Sequence, residues 1–483
     1  MNYINKSIWS QENKTTLPSL NHNLETDVLI IGGGIAGMSL LYLANKDNVK
    51  TCLVEKNTIG SGVTNRTTGK ITYLQDVYSK INCATNVNSV KNYYESQKYA
   101  IELIKEIIEK EKINCNFQKV ISYLGVQTNV NKINREIDIF KNAKIPIKFK
   151  NKFSDNFNIK KTIYVEDTFV FHPLKYLNSL KEKLKNHIFE NTKIVNLIKK
   201  EDYYIAITEF GYKIKTKYIV ECTHYPIFSS LLKMPLNTYI EKSYIKAYET
   251  NRDKNYSLIT LDEPIISVRF HKDNEKIYEM YLSETHKSYS KMNDKEHFKN
   301  LIQNDKNNAK YLWSNKDIMT SDSLPIIGAI DDENTHYICT GFNTWGMTNG
   351  TLAGKIITDL ILKKDSKYKE LFSPKRCNKG KVLHYPVNIG SNAISFLKSK
   401  ICKNKEWYSQ NVKFETRNGK PIAIYTDEKG KEHIVYNLCP HLKCSLIFNE
   451  IEKTWDCPCH GSRFDIDGKS IEGPANYDIT YKE

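Results

Sequence analysis

Asp27-Val28-Leu29-Ile30-Ile31-Gly32-Gly33-Gly34-Ile35-Ala36-Gly37 carries one apolar run through a cluster of glycines into another. The first run is short, β-branched and uncharged after Asp27, which suits a parallel strand buried on both faces. The second continues as an apolar helix through Ala44, and a further strand, Lys50 to Val54, ends in Glu55. The stretch is therefore G-x-G-x-x-G inside a βαβ unit with an acid closing the second strand, the pattern of a dinucleotide-binding turn. In that pattern Gly32 permits the tight turn, Gly34 lets the backbone approach a pyrophosphate, and Gly37 lets the helix pack closely. The phosphates would sit on the helix N-terminus, and Glu55 would accept hydrogen bonds from ribose hydroxyls. A glycine motif alone is weak; two strands and the acid around it make it specific. The uncharged run Val28 to Ala44 is 17 residues long and holds four glycines. A membrane span needs about 20 predominantly apolar residues, so a buried strand–turn–helix is the better reading.

The other end of the chain holds Cys439-Pro440-His441-Leu442-Lys443-Cys444 and Cys457-Pro458-Cys459-His460-Gly461-Ser462. The spacing is C-x-H, fifteen residues, then C-x-x-H. Two thiolates and two imidazoles in this order suit a [2Fe–2S] cluster in which histidines replace cysteines on one iron. A Cys₂His₂ zinc site uses the same ligand types, but zinc fingers space their histidines as H-x₃₋₅-H. The motif resembles a Rieske domain. The resemblance implies that Cys439 and Cys457 hold one iron and His441 and His460 the other. It also places Cys444 and Cys459 where respiratory, cytochrome bc-type members form a disulfide between the cluster loops. Two free buried thiols remain the alternative. Gly473-Pro474-Ala475 resembles the proline loop over the cluster, and Ser462 sits where the family hydrogen-bonds a cluster sulfur. Phe464 departs from the tyrosine of high-potential members, so a potential below the respiratory maximum is expected.

Between the two ends, Asp322-Ser323-Leu324-Pro325-Ile326-Ile327-Gly328, Tyr337-Ile338-Cys339-Thr340-Gly341-Phe342 and Trp345-Gly346-Met347-Thr348 precede a helix from Asn349 to about Lys363. This resembles the C-terminal FAD-binding signature of the glycine/D-amino-acid oxidase (DAO) superfamily. His172-Pro173 leading a helix, and strands at Thr192–Val195 and Tyr218–Thr223, fit the same family. The resemblance implies non-covalent FAD, with contacts from Gly32, Gly34, Gly37, Glu55, Lys56, Ser61, Arg66, Thr67, Lys70, Val195, Gly341, Gly346, Met347 and Thr348. Val195 would meet adenine through its backbone. The loop Ser61 to Lys70 would pass the pyrophosphate and flavin ring, where Arg66 or Lys70 could offset anionic flavin; a solvated basic loop is the alternative. His172, Trp345 and Met347 read equally as packing residues. Arg269, on an expected strand, reads as a surface salt bridge rather than a carboxylate anchor. Sarcosine-oxidase-like relatives attach flavin through a cysteine, and none lies between Cys222 and Cys339.

The expected fold is an α/β, Rossmann-like FAD-binding domain of the DAO type with a β-rich substrate or cap domain, followed by a small all-β Rieske domain. The expected boundaries are an N-terminal extension at 1–26, the oxidoreductase at 27–364, a linker at 365–404 and the Rieske part at 405–483. FAD-binding segments fall at about 27–80, 165–230 and 320–364, and the cap at about 81–164 and 231–319. A helix is expected over 91–112, and strands over Ile265–Phe270 and Ile277–Leu282.

Lys+Arg is 71 and Asp+Glu 55, a net +16. Residues 405–483 hold 11 Lys+Arg against 13 Asp+Glu, so the body is basic and the appendage slightly acidic, which favours their docking. The lysines are scattered and form no long run, which argues against nucleic-acid binding. Of 11 cysteines, four fall in the cluster loops and seven show no disulfide framework. With a polar N-terminus lacking a signal-peptide pattern, this points to a cytoplasmic protein without a transmembrane segment.

The resemblance implies a flavin dehydrogenase. An amine or amino acid gives a hydride to FAD, and single electrons pass through the cluster to an external acceptor. Reverse flow from an external donor through the cluster to FAD is the alternative. A redox-sensing protein with a structural cluster is a third. No D-x₂-H-x₃₋₄-H pattern for mononuclear iron is present, which argues against a Rieske oxygenase. No catalytic acid or base is assigned.

Overall fold

The computed structural model describes residues 4–12, 15–151, 153, 155, 157–228, 237–287, 294–303, 309–376, 411–459 and 461–482. The elements that build the site are β1 (Leu24–Ile31), α1 (Ile35–Lys46), β2 (Thr51–Val54), β3 (Lys213–Glu221), β4 (Thr238–Thr250), β5 (Tyr311–Thr320), β6 (His336–Thr340) and α2 (Gly346–Ile361).

The first sheet runs in the order Ile326–Ala329, β6, β3, β1, β2, Ile188–Phe189. Its four central strands are parallel, with Ile31 level with both Val54 and Glu221, and Glu221 level with Ile338. Three chain segments therefore leave the sheet at one edge: Gly32 after β1, Glu55 after β2 and Cys222 after β3. In open α/β sheets the crevice beyond the carboxyl ends of the strands is where ligands bind. Val28, Leu29, Ile30 and Leu53 are wholly buried, as expected of strands covered on both faces. Helices α1 and α2 are packed together on the sheet.

The second sheet has nine strands. Its main path is β5, β4, Lys276–Lys287, Ser267–Asp273, Tyr256–Thr260, Gln118–Val126, Lys161–Val170 and Lys70–Ile71. It is the β-rich region expected beside the nucleotide fold. The helix expected over 91–112 spans Val87–Glu111, and starts earlier because the Asn86 side chain accepts the Ser89 N–H at 3.0 Å.

The C-terminal part is all-β. Val412–Arg417, Lys420–Thr426 and Glu432–Tyr436 form a three-stranded antiparallel sheet, opened by an Asn418-Gly419 turn with both residues at positive φ. Four short strands, Ile447–Asn449, Thr454–Asp456, Arg463–Phe464 and Ser470–Glu472, form the second. Trp455, Phe464, Leu446 and Val435 fill the core between them. Of the expected linker, residues 365–376 are described. They include a short helix, Lys369–Phe372, and Arg376, whose guanidinium donates to both carboxylate oxygens of Asp322 at 2.9 and 3.0 Å. Among the described residues no helix is long and apolar enough to cross a membrane.

Candidate functional site

The edge where β1, β2 and β3 end opens into a cleft. The glycine turn, the acid closing β2 and the segment after β3 all border it, which is the place of a dinucleotide in an open α/β sheet. The glycine turn forms one wall. Gly32 has φ +108, and a Cβ on Gly37 would lie 2.0 Å from the Gly32 carbonyl oxygen, so only glycine lets α1 start so close to β1. Glu55 is fixed at the rim, accepting the N–H of Gly33 at 2.8 Å and of Asn57 at 2.9 Å. Burial pushes its carboxyl up from the ordinary value, against those two hydrogen bonds. A buried side-chain atom on the cleft wall, His224 Nε2, has no hydrogen-bond partner among the described residues. Buried polar atoms are normally satisfied, so an unmatched one on this wall fits a polar ligand. The glycine turn, the rim acid and the unmatched atom fit FAD.

The two Cys/His loops face each other at the end of the all-β part. Each is closed by its own backbone: the Cys439 N–H donates to the Cys444 carbonyl at 2.9 Å, and the Cys457 N–H to the Ser462 carbonyl at 2.8 Å. Cys444 and Cys459 are bonded, S–S 2.17 Å, and tie the loops together. The sulfurs of Cys444, Cys457 and Cys459 lie within 4.8 Å of one another. The Cys439 thiol is held down to about 7, chiefly by its hydrogen bond with the Cys457 thiol and with a further contribution from Ser462. Burial lowers His441 and favours the neutral imidazole that ligates metal. Ser462 Oγ also accepts the Ala475 N–H of the proline loop at 2.9 Å. This donor set fits a [2Fe–2S] cluster, with His460 lying outside the described residues.

The last strand and the proline loop, which is bonded to the second cluster loop through Ser462, dock on the cleft. Ile471, Glu472, Gly473 and Asn476 of the all-β part line the same cleft as the glycine turn. The Asn476 amide donates to the Ile194 carbonyl at 2.8 Å. The ring of Tyr225, three residues beyond Cys222, lies 6.2 Å from the His441 ring at 68°. Around this contact runs a buried ionic network. Asp456 accepts from Lys242 and Lys316 at 3.1 Å each and from Arg463 at 3.2 Å. Glu452 accepts from Arg463 at 2.6 Å and from Arg66 at 2.7 Å. The basic body and acidic appendage meet here, in the sense the charge balance suggested.

A second cavity adjoins the cleft, and Thr67, Asn315, Asp317, Thr344 and Met347 line both. Its polar wall includes Arg66, Lys70, Asp76, Glu241 and Ser243. Burial raises Glu241 and Asp317 to about 7 each, and lowers Lys70 to about 7 with help from Arg269.

Of the residues singled out from sequence, Gly32, Gly34, Glu55, Lys56, Ser61, Thr67, Gly346 and Met347 line the cleft. Gly37 supports it from within α1. Val195 does not line it; Ile194 does, and Val195 faces a neighbouring groove with His441. Gly341, at φ +67, packs on Thr320, and Thr348 is buried against Gln75, so neither reaches the cleft wall. Arg66 is no solvated loop residue and does not line the cleft: Glu452 and Glu472 hold its guanidinium across the docking surface. Lys70 is buried, donating to the Leu258 carbonyl and Ser267 Oγ at 2.7 Å each. The surface salt bridge expected for Arg269 is corrected. Its side chain is wholly buried and donates to the carbonyls of Thr68, Gly69 and Phe171, because no carboxylate of the described residues reaches it. Glu241, Asn315, Asp317, His224 and Tyr225 were not foreseen. Acidic, basic and polar residues alternating along two strands, Glu241-Lys242-Ser243 and Ser314-Asn315-Lys316-Asp317, were the available signal.

Comparison with known proteins agrees with this arrangement. Residues 27–360 match the family of FAD dependent oxidoreductases (DAO), and residues 398–481 match the Rieske [2Fe-2S] domain. YhfW of Bacillus subtilis (strain 168), whose name describes a Rieske 2Fe-2S iron-sulfur protein, is 30% identical over 95% of this chain and 94% of its own. Glycine oxidase from Geobacillus kaustophilus shares the fold with a TM-score of 0.61 at 15% identity, over 74% of this chain and all of its own. L-proline dehydrogenase from P. horikoshii does so at 0.57 and 18%, over 71% and 95%. The chain belongs to the DAO family of FAD-dependent oxidoreductases, and carries a C-terminal Rieske domain for a [2Fe–2S] cluster.

Proposed function

We propose that this enzyme is a dehydrogenase that oxidises an amine or amino acid at FAD and passes the electrons through the Rieske cluster to an external one-electron acceptor. Bound FAD would take a hydride from the carbon beside the substrate nitrogen, leaving a C=N bond, while the nitrogen loses a proton before transfer. Flavin joins this two-electron step to one-electron carriers. Glycine oxidase and L-proline dehydrogenase, which share the fold, are named for amino-acid substrates.

In this reading Gly32 to Gly34 receive the pyrophosphate at the start of α1, and Glu55 the adenosine ribose. Lys56, Ser61, Thr67, Gly346 and Met347 border the remainder of the cofactor. Cys439, His441, Cys457 and His460 hold the cluster. Lys70, buried and poised near neutrality, can accept a proton on Nζ beside the second cavity.

The observation that carries the reading is the contact of Tyr225 with His441. His224 lines the flavin cleft, and its neighbour Tyr225 stands against a cluster ligand. Two adjacent residues thus bridge the two redox sites, and no external partner is needed for that step. The test is anaerobic reduction of holoenzyme by candidate amines and amino acids. Flavin bleaching followed by cluster reduction supports the dehydrogenase. Cluster reduction by an external donor, with flavin reduced only afterwards, supports reverse flow. A cluster that stays oxidised beside reduced flavin makes it structural.

A further inference from the structure

The second cavity bears on the substrate, and the argument rests on the dehydrogenase reading above. Glu241 of β4 stands directly opposite Asp317 of β5, and Ser243 directly opposite Asn315. All four line the cavity. Like charges directly across an antiparallel pair are destabilising, so this arrangement needs a counter-charge. Among the described residues neither carboxylate has an ion-pair partner. Arg66 is held by Glu452 and Glu472, Lys80 by Asp76 at 3.9 Å, Lys70 is hydrogen-bonded to Leu258 and Ser267, and Lys287, opposite Glu241 on the neighbouring strand, is exposed; among the described residues none of them forms an ion pair with Glu241 or Asp317.

Asn315 provides an independent sign. Its side chain is nine-tenths buried, and its amide nitrogen donates to Asp317 at 2.8 Å. Its Oδ1, an acceptor with no partner among the described residues, is left on the wall that this cavity shares with the cleft. Once ionised, Glu241 and Asp317 join Asn315 Oδ1 as acceptors, which match the N–H donors of an ammonium group and repel a carboxylate.

We infer that this end of the cavity binds an ammonium group, and that the substrate is a cationic amine recognised by its positive charge rather than by a carboxylate. Hydride transfer requires the reacting nitrogen to be neutral. An aliphatic diamine meets both demands: one amine reacts unprotonated at the flavin while the other stays charged between Glu241 and Asp317.

The test uses holoenzyme with 1,4-diaminobutane, butylamine, glycine and L-proline. Flavin bleaching and thermal shift are read for the native protein, Glu241→Gln and Asp317→Asn. The diamine should bleach the flavin at a half-saturating concentration about tenfold or more below butylamine's; each variant should remove that advantage, and Glu241→Gln should do so with flavin and cluster content unchanged. Glycine or L-proline bleaching at lower concentration than the diamine, equally in Glu241→Gln, would overturn the cation site and leave the dehydrogenase standing. If no compound bleaches the flavin, a diamine-dependent rise in Tm that Glu241→Gln abolishes would keep the cation site and remove the dehydrogenase reading. Absence of that rise would overturn the cation site.

Discussion

The two faces of the β4–β5 pair repeat one arrangement with opposite charge. On the face toward the Rieske domain, Lys242 stands opposite Lys316; on the face toward the cavity, Glu241 stands opposite Asp317. Between the lysines lies Asp456, 3.1 Å from each. Neither acid has an ion-pair partner among the described residues, although Lys287 stands opposite Glu241 on the other neighbouring strand. The difference teaches how one sheet edge serves two purposes. A like-charge pair answered from within the chain is an interface. One with no such answer is where we place the proposed ligand.

Breaking the answered face should have the largest effect. Asp456→Ala leaves Lys242, Lys316 and Arg463 buried without their shared counter-charge. Removing one partner of a buried ionic group costs about 3–5 kcal/mol, to be measured by denaturant unfolding. The same variant should slow flavin-to-cluster electron transfer, because the domains lose their docking. Recovery of stability in Asp456→Ala combined with Lys316→Met would show that the paired charges, not the aspartate alone, set the cost.

Cys444→Ser should come next. It opens the link between the cluster loops on that face, and a bridge closing a loop of about 15 residues contributes about 3 kcal/mol. A melt under non-reducing conditions checks this, and cluster content should fall with it. Tyr225→Leu should leave flavin and cluster content intact while slowing cluster reduction severalfold, seen by rapid mixing.

The smallest effects lie on the cavity face. Glu241→Gln removes a like-charge contact and should stabilise the ligand-free protein by about 0.2–1 kcal/mol. The two faces should also titrate in opposite senses. Against burial, Arg463, Lys316 and Lys242 hold Asp456 well below the usual carboxylate range, so its contribution is present above about pH 4 and is lost on acidification. Glu241 and Asp317 are raised to about 7 by burial, so their cost develops as pH rises from about 4 to 7 and is full above it. Asp76 and Glu263 add to the cost at Glu241, and Lys80 and Lys287 lessen it. Stability measured across that range should fall less steeply in Glu241→Gln than in the native protein.

What was legible in the sequence follows the same physics. The glycine turn could be read because close backbone approach admits only glycine at Gly32 and Gly37. The cluster loops could be read because iron demands particular ligands at short spacing. Glu55, too, follows from its place at the end of β2. Arg66 could not be read correctly, because its partner Glu452 lies 386 residues away and the pairing depends on how one domain sits on another. The Glu241–Asp317 pair depends on strand register between segments far apart in the chain, which alternation within each strand does not fix. Arg269 looked like a surface residue because strand alternation does not say which face a carbonyl cluster will cover. Local chemistry was visible; pairing across the fold was not.

The most direct test of the account is freeze-quench EPR with parallel flavin absorbance, after anaerobic mixing of holoenzyme with a substrate that bleaches the flavin. Flavin reduction should come first, with the reduced-cluster signal rising after it in the same molecules and later in Tyr225→Leu. A cluster that remains oxidised while the flavin is fully reduced, or one whose signal precedes flavin bleaching, would contradict it.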